Sequence, residues 1–213
     1  MWCFSPRRRS YAGSFNMTSK IRFVAFLFAA VFVLTLVSCE KKAPADVFDG
    51  FISAVASCDA KNASEFVSSD SYIERFSDAL SSSDEFGRKT LCDVYSLIKF
   101  TIVSANVERD EAGDDVVISD LDRQTMRIDI SLPDLASLMS LTMSEMMFSS
   151  KQKCDVMRDF LDDGTVGRYI TKMTLDVVMT KENGEWKLPF SQNENKQLYD
   201  ALGINSFAPW LLG

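Results

Sequence analysis

The chain has 213 residues, 46% hydrophobic and 25% charged, a composition that specifies a folded domain and excludes an intrinsically disordered chain. Its formal charge of −7 is unevenly spread. Residues 1–38 hold five bases (Arg7, Arg8, Arg9, Lys20, Arg22) and no acid, which leaves 18 basic against 30 acidic side chains, a net of −12, for residues 39–213. So acidic a domain repels phosphate backbones, which excludes nucleic acid as a partner; it also repels an anionic bilayer, so a membrane location needs a covalent or inserted anchor.

Lys20 and Arg22 precede an apolar run from Phe23 to Val37, 15 residues long. A spanning helix needs roughly 20 apolar residues and a signal-peptide core about 7–15, so the length favours a cleaved segment over an uncleaved anchor. Met17 opens a compact basic leader and is the expected start of translation. Arg8-Arg9 lies too far from the apolar core for a twin-arginine signal. The run ends in Leu36-Val37-Ser38-Cys39, which resembles the lipobox of bacterial lipoproteins residue by residue. That resemblance implies diacylglyceryl transfer to the Cys39 thiol and cleavage before it. Residues 1–38 are then a signal peptide, 39–43 a lipidated tether, and the protein is lipid-anchored on the extracytoplasmic face of a cell membrane, inner or outer where there are two. Several acyl chains anchor a protein stably where one binds marginally.

From residue 44 the spacing predicts helices. Val47, Phe48, Phe51, Ile52 and Val55 recur at helical intervals behind Pro44, and Asp59 can cap a short helix holding Phe66 and Val67. Ile73, Phe76 and Leu80 mark a third helix, closed by Ser81-Ser82-Ser83; Phe86, Leu91, Val94, Leu97 and Ile98 mark a fourth. The period then changes to two. Thr101, Val103, Ala105 and Val107 predict one side of a strand, and residues 110–115 a turn. Val116, Ile118, Met126, Ile128 and Ile130 lie in phase on one face, interrupted by a loop or bulge at Asp120–Arg123, with Arg127, Asp129 and Ser131 opposite.

Pro133 ends that strand, and helical spacing returns: Ala136, Met139, Met143, Met147, Cys154, Met157 and Leu161 form one stripe, breakable at Ser149-Ser150. A last strand runs through Tyr169, Thr171, Met173, Leu175, Val177 and Met179. Asn183-Gly184 is a strong hairpin signal, because both residues accept positive φ. It would pair Lys181 with Trp186, Met179 with Leu188 and Val177 with Phe190. A helix from Asn193 to Leu202, closed by Gly203, and an apolar tail from Phe207 to Leu212 complete the chain.

Helices first and antiparallel strands after predict an α+β domain spanning 44–213. Two stretches, Pro44-Ala-Asp-Val-Phe-Asp-Gly-Phe-Ile with Cys58-Asp59, and Met173-Thr-Leu-Asp-Val-Val-Met with Asn183-Gly184-Glu-Trp186-Lys-Leu188, resemble the NTF2-like (cystatin-like) lipoproteins of bacteria. The resemblance implies N-terminal helices packed on a curved antiparallel sheet around a conical pocket. The stretch 132–162 departs from that pattern as a helical insertion.

With no histidine, Ser-His-Asp and Cys-His catalysis and histidine zinc sites are excluded. Asp120-Leu-Asp122 lacks the glycine and distal glutamate of a calcium loop, and the methionine stripe has no histidine partner for copper, so neither metal nor cofactor is expected. Asp129 and Asp176 fall on polar strand faces, away from any apolar pocket. After lipidation of Cys39, three cysteines remain (Cys58, Cys92, Cys154), open to one bridge and a spare thiol or to three small buried hydrophobes. The expectation is a non-catalytic domain that binds a small ligand or an envelope protein, with Met139, Met143, Met147, Tyr169 and Trp186 as its contact surface and the membrane engaged through lipid on Cys39. The alternative is a small-molecule enzyme, isomerase- or hydrolase-like, using the conical pocket.

Overall fold

A computed structural model describes residues 42–105, 107–109, 115–117, 122–191 and 194–213. The expected signal segment, Cys39, and residues 110–114 and 118–121 lie outside the described residues. The first helix, α1 (Pro44–Ala56), places Pro44 where a missing N–H is harmless, and the Asp46 carboxylate accepts from the Ala43 N–H at 3.1 Å. Val47, Phe48, Phe51, Ile52 and Val55 are all buried. Each such side chain contributes roughly 1.5–3 kcal/mol on leaving water. The helix closes in a Schellman turn: the Asp59 N–H donates to Ala54 O (2.8 Å) and the Cys58 N–H to Val55 O (3.0 Å). Cys58 takes φ +54° there, in a position that favours glycine and costs other residues roughly 1–2 kcal/mol.

Asp59 caps α2 (Ala60–Ser64), accepting from the Asn62 N–H at 3.0 Å. Phe66 and Val67 lie beyond this helix rather than in it. Their backbone is claimed by Leu188, whose N–H donates to Phe66 O (2.8 Å) and whose carbonyl accepts from Ser68 N–H (3.0 Å). A 3₁₀ turn (Asp70–Tyr72) leads to α3 (Glu74–Ser82) and α4 (Glu85–Tyr95), the latter capped by Asp84 through the Gly87 N–H at 2.7 Å. Ile73, Phe76, Leu80, Leu91 and Val94 are buried as the spacing predicts. Phe86 departs and is exposed, because the inner row of α4 runs through Gly87, Thr90, Leu91 and Val94, one residue out of step with it.

The strands are β1 (Lys99–Ala105), β2 (Val107–Arg109), β3 (Asp115–Val117), β4 (Arg123–Pro133), β5 (Ile170–Glu182) and β6 (Glu185–Lys187). Four of them form an open antiparallel sheet in the order β1-β4-β5-β6. β2 and β3 pair separately as an antiparallel ribbon flanking residues 110–114, so 115–117 does not continue into the face of β4 as expected. On β4, Met126, Ile128 and Ile130 are buried, as are Leu175, Val177 and Met179 on β5, in agreement with the alternation. β1 is a correction. Phe100 and Ile102 face the core opposite Ile130 and Ile128, whereas Thr101, Val103 and Ala105 are exposed. Both sides of this strand are largely apolar, so alternation could not choose. The ring of Phe48, edge-on to Phe100 at 5.1 Å, does. The register shifts between Ile102 and Ser104, which leaves Val103 in a bulge.

The hairpin forms with Asn183 at φ +52° and Gly184 at φ +84°, pairing Lys181 with Trp186. It stops at Lys187, so Phe190 does not pair with Val177. Its ring instead packs on Phe51, Tyr72 and Tyr199, at 5.7, 5.6 and 5.2 Å. Where β6 ends, Asn195 takes over. This residue is 7% exposed and in the left-handed region; its Oδ1 accepts from the Val178 N–H (2.8 Å), while its Nδ2 donates to Val178 O (2.8 Å) and Pro189 O (2.7 Å). The amide thus substitutes for one missing residue of a strand.

Between β4 and β5 the chain forms α5 (Leu135–Phe148), α6 (Lys153–Asp162) and α7 (Thr165–Arg168), so the insertion begins after Pro133 and reaches residue 168. α8 (Lys196–Leu202) starts later than the expected Asn193, which lies outside the described residues. α9 (Phe207–Leu212) makes a helix of the apolar tail. Gly203 closes α8 at φ +57°, a conformation that favours glycine, and a Cβ there would meet Leu135 Cδ1 at 2.7 Å, so that the leucine would have to shift.

Candidate functional site

The insertion carries the feature that packing does not explain. In α5 the buried row is Leu135, Leu138 and Thr142; Met139 rests half-buried on the core. Met143 is 51% exposed, Met147 81% and Phe148 85%. The expected stripe through Ala136, Met139, Met143 and Met147 therefore turns outward along α5, while its continuation on α6 turns inward, with Met157 buried. The segment is apolar on most of its circumference, so helical spacing alone supports either stripe. Leu135, wedged against Gly203, selects the other one. The exposed ends of Met143, Met147 and Phe148 present on the order of 400 Å² of side-chain surface, within the range of patches that carry function in soluble proteins.

Tyr169 and Trp186 do not join this surface as one pocket. Tyr169 sits at the base of α5, its carbonyl accepting from the Asp134 N–H at 2.6 Å. Trp186 pairs with Lys181 at the far end of β5, with the Lys181 ammonium 5.5 Å from its ring centroid. Ile170 and Lys181 are eleven residues apart on one strand, a separation of roughly 36 Å.

Phe48, Phe51, Phe76, Tyr95, Phe190 and Phe207 are fully buried in one core. Burial holds the Tyr95 hydroxyl well above its ordinary pKa. On the opposite face of the sheet, a cleft of about 460 Å³ is lined by Lys99, Thr101, Asp129, Ser131, Lys172 and Thr174. Here Thr174 Oγ1 donates to Asp129 at 2.6 Å, and Arg127 Nε donates to Asp176 at 3.0 Å. Both carboxylates are exposed and already hydrogen-bonded, an arrangement suited to solubility and to sheet pairing more than to proton transfer.

Sequence reasoning missed a second polar site. A cleft of about 530 Å³ is lined by Ser71, Tyr72, Arg75, Tyr199, Asp200 and Asn205, among others. Asn205 Nδ2 donates to Tyr72 O at 2.8 Å and to the Tyr199 hydroxyl, while its Oδ1 is buried with no partner among the described residues. Tyr72 and Tyr199 are brought together by the fold from distant parts of the chain, and no local spacing signals that they meet.

Among the described residues, no helix is long and apolar enough to cross a membrane. The geometry defines a class: a mixed α+β domain on an open four-stranded antiparallel sheet, with one sheet face buried and an apolar helix end offered to solvent. Comparison with models of known protein families, with curated proteins and with solved structures returns no match.

Proposed function

We propose that this chain is a lipoprotein, anchored through Cys39 on the extracytoplasmic face of a cell membrane, whose NTF2-like domain binds an envelope protein without turning over a substrate. The observation that carries the binding role is the exposure of Met143, Met147 and Phe148 at the end of α5. Methionine is flexible and polarisable, which suits an adaptable contact. The tether of residues 39–43 restricts the reach of the domain to partners close to the membrane. The lipobox supports the anchor, and the arrangement of helices followed by antiparallel strands supports the NTF2-like assignment.

Two measurements test this reading. Cys39→Ala should abolish acyl labelling; undiminished labelling would sink the anchor. The double variant Met143→Glu, Met147→Glu should keep the melting temperature of the parent and lose the partner recovered by cross-linking in native membranes. Retention of that partner would remove the surface from the contact.

A small ligand is the second reading, favoured by the polar Tyr72–Tyr199 cleft, which Ser71, Arg75, Asp200 and Asn205 also line. It calls for a compact polar molecule held between these side chains. Asn205→Asp should then change its affinity; a ligand that binds both forms equally is bound elsewhere.

A further inference from the structure

We propose that Cys58 and Cys92 are a disulfide-forming pair that staples the end of α1 to α4. Three features of the fold converge on it. The first is where Cys58 sits. It occupies the left-handed position of the Schellman turn that ends α1, at φ +54°, where glycine is favoured. A side chain retained in such a position points to a role for that side chain. The second is the partner. Cys92 Sγ approaches the carbonyl of Ser57, the residue before Cys58, at 3.9 Å, so α4 brings its thiol to the turn that carries Cys58. The Schellman turn fixes the direction of the Cys58 side chain, and α4 presents Cys92 to it. The third is access. Both residues are half-buried and open to a small oxidant, in contrast to a thiol sealed in the core.

With a small-molecule disulfide such as oxidised glutathione as the oxidant, the thiolate of one cysteine attacks one glutathione sulfur and releases one glutathione thiolate. The other cysteine then loses its proton to solvent and attacks the sulfur of the mixed disulfide that belongs to the first, expelling the second glutathione. Two cysteine thiols are oxidised by two electrons, and one glutathione disulfide is reduced to two thiols. Cys154 takes no part: it lies on α6, its Sγ donating to Leu211 O at 3.3 Å.

The staple closes the chain between residues 58 and 92. Its presence in cells rests on the extracytoplasmic reading, because that compartment is where such bonds persist. The test uses the full chain in detergent micelles, reduced and then incubated with oxidised glutathione, trapped by alkylation and mapped by digestion and mass spectrometry. The expected result is a peptide pair linked Cys58–Cys92 with Cys154 alkylated. The melting temperature should rise by roughly 8–15 °C over the reduced protein, as expected for a loop of this size in a domain of this length. That rise should be absent in Cys92→Ser. Glutathione adducts without the linked pair, linkage through Cys154, or an unchanged melting temperature would overturn the proposal. Alkylation of the protein directly from growing cells separates the two ideas. A pair that links in the tube but is wholly reduced in cells leaves the staple standing and refutes the extracytoplasmic location.

Discussion

Asn195 offers the sharpest test of how the sheet is held, because one side-chain amide completes what β6 leaves unfinished. Asn195→Ala removes three hydrogen bonds at once, to Val178 N–H, Val178 O and Pro189 O. Each backbone group left without a partner in this buried setting costs about 1–3 kcal/mol, although a carbonyl that reaches water recovers part of it. Alanine at φ +53° adds about 1–2 kcal/mol of backbone strain. The sum is on the order of 4–6 kcal/mol, or roughly 8–24 °C in melting temperature for a domain of this size. Thermal unfolding followed by circular dichroism measures it. Asn195→Gly loses the same bonds without the strain and should fall between alanine and wild type. Asn195→Asp keeps the acceptor for Val178 N–H but turns its other oxygen on two carbonyls, so it should be destabilised at neutral pH and partly recover once the carboxyl is protonated. An alanine variant that melts within a degree or two of the parent would refute the role given to this amide.

Three further outcomes follow from the same geometry. Leu138→Ala, at a fully buried position, should cost about 2–5 kcal/mol, whereas Met147→Ala should stay within about 0.5 kcal/mol of wild type; equal losses in chemical denaturation would restore the methionine stripe to the core. Lys89 first, and then Arg158, hold the Asp93 carboxyl below the usual carboxylate range. Its folded pKa is depressed, so its contribution is present above the unfolded value of about 3.9 and lost as pH falls through the folded one. Arg158→Met should flatten that acid limb in melts taken between about pH 5 and 2, and an unchanged slope would count against the link between α4 and α6. Gly184→Val forces a β-branched residue to φ +84° and should lower stability by about 1–2 kcal/mol, read as a shift in the denaturant midpoint; no shift would mean the turn is not the tight one described.

The legible parts of this fold were those where one pattern had no rival. The Asn183-Gly184 turn demanded positive φ twice, and β4 alternated apolar with charged residues, so both register and facing could be read directly. The ambiguous parts were apolar on two sides. In β1 the residues Phe100 and Ile102 compete with Val103 and Ala105, and in α5 the leucines compete with the methionines. Such contests are settled by tertiary contacts, by Phe48 against Phe100 and Leu135 against Gly203, which local spacing does not contain. The meeting of Tyr72, Tyr199 and Asn205 is of the same kind, as is the approach of Cys92 to the turn that carries Cys58. The candidate surface is half legible: the sequence marks α5 by its methionines but does not say which way they face.

The sheet order has a consequence for how the chain reaches this structure. β4 and β5 are the central pair, yet 36 residues separate Pro133 from its partner Ile170. Closing a flexible loop of that length costs about 1 kcal/mol more entropy than closing one of ten residues, and the central ladder cannot zip from a tight turn as β5 and β6 can. The helices in the gap change the arithmetic. α5 leads away from Pro133 and α6 and α7 lead back, so a formed helical hairpin delivers the start of β5 to the end of β4 with little left to search. The rate of folding should therefore depend on the Ser149–Gln152 link between α5 and α6, a stretch that contributes almost nothing to the core. Lengthening it with glycine should slow refolding and leave the unfolding rate nearly untouched.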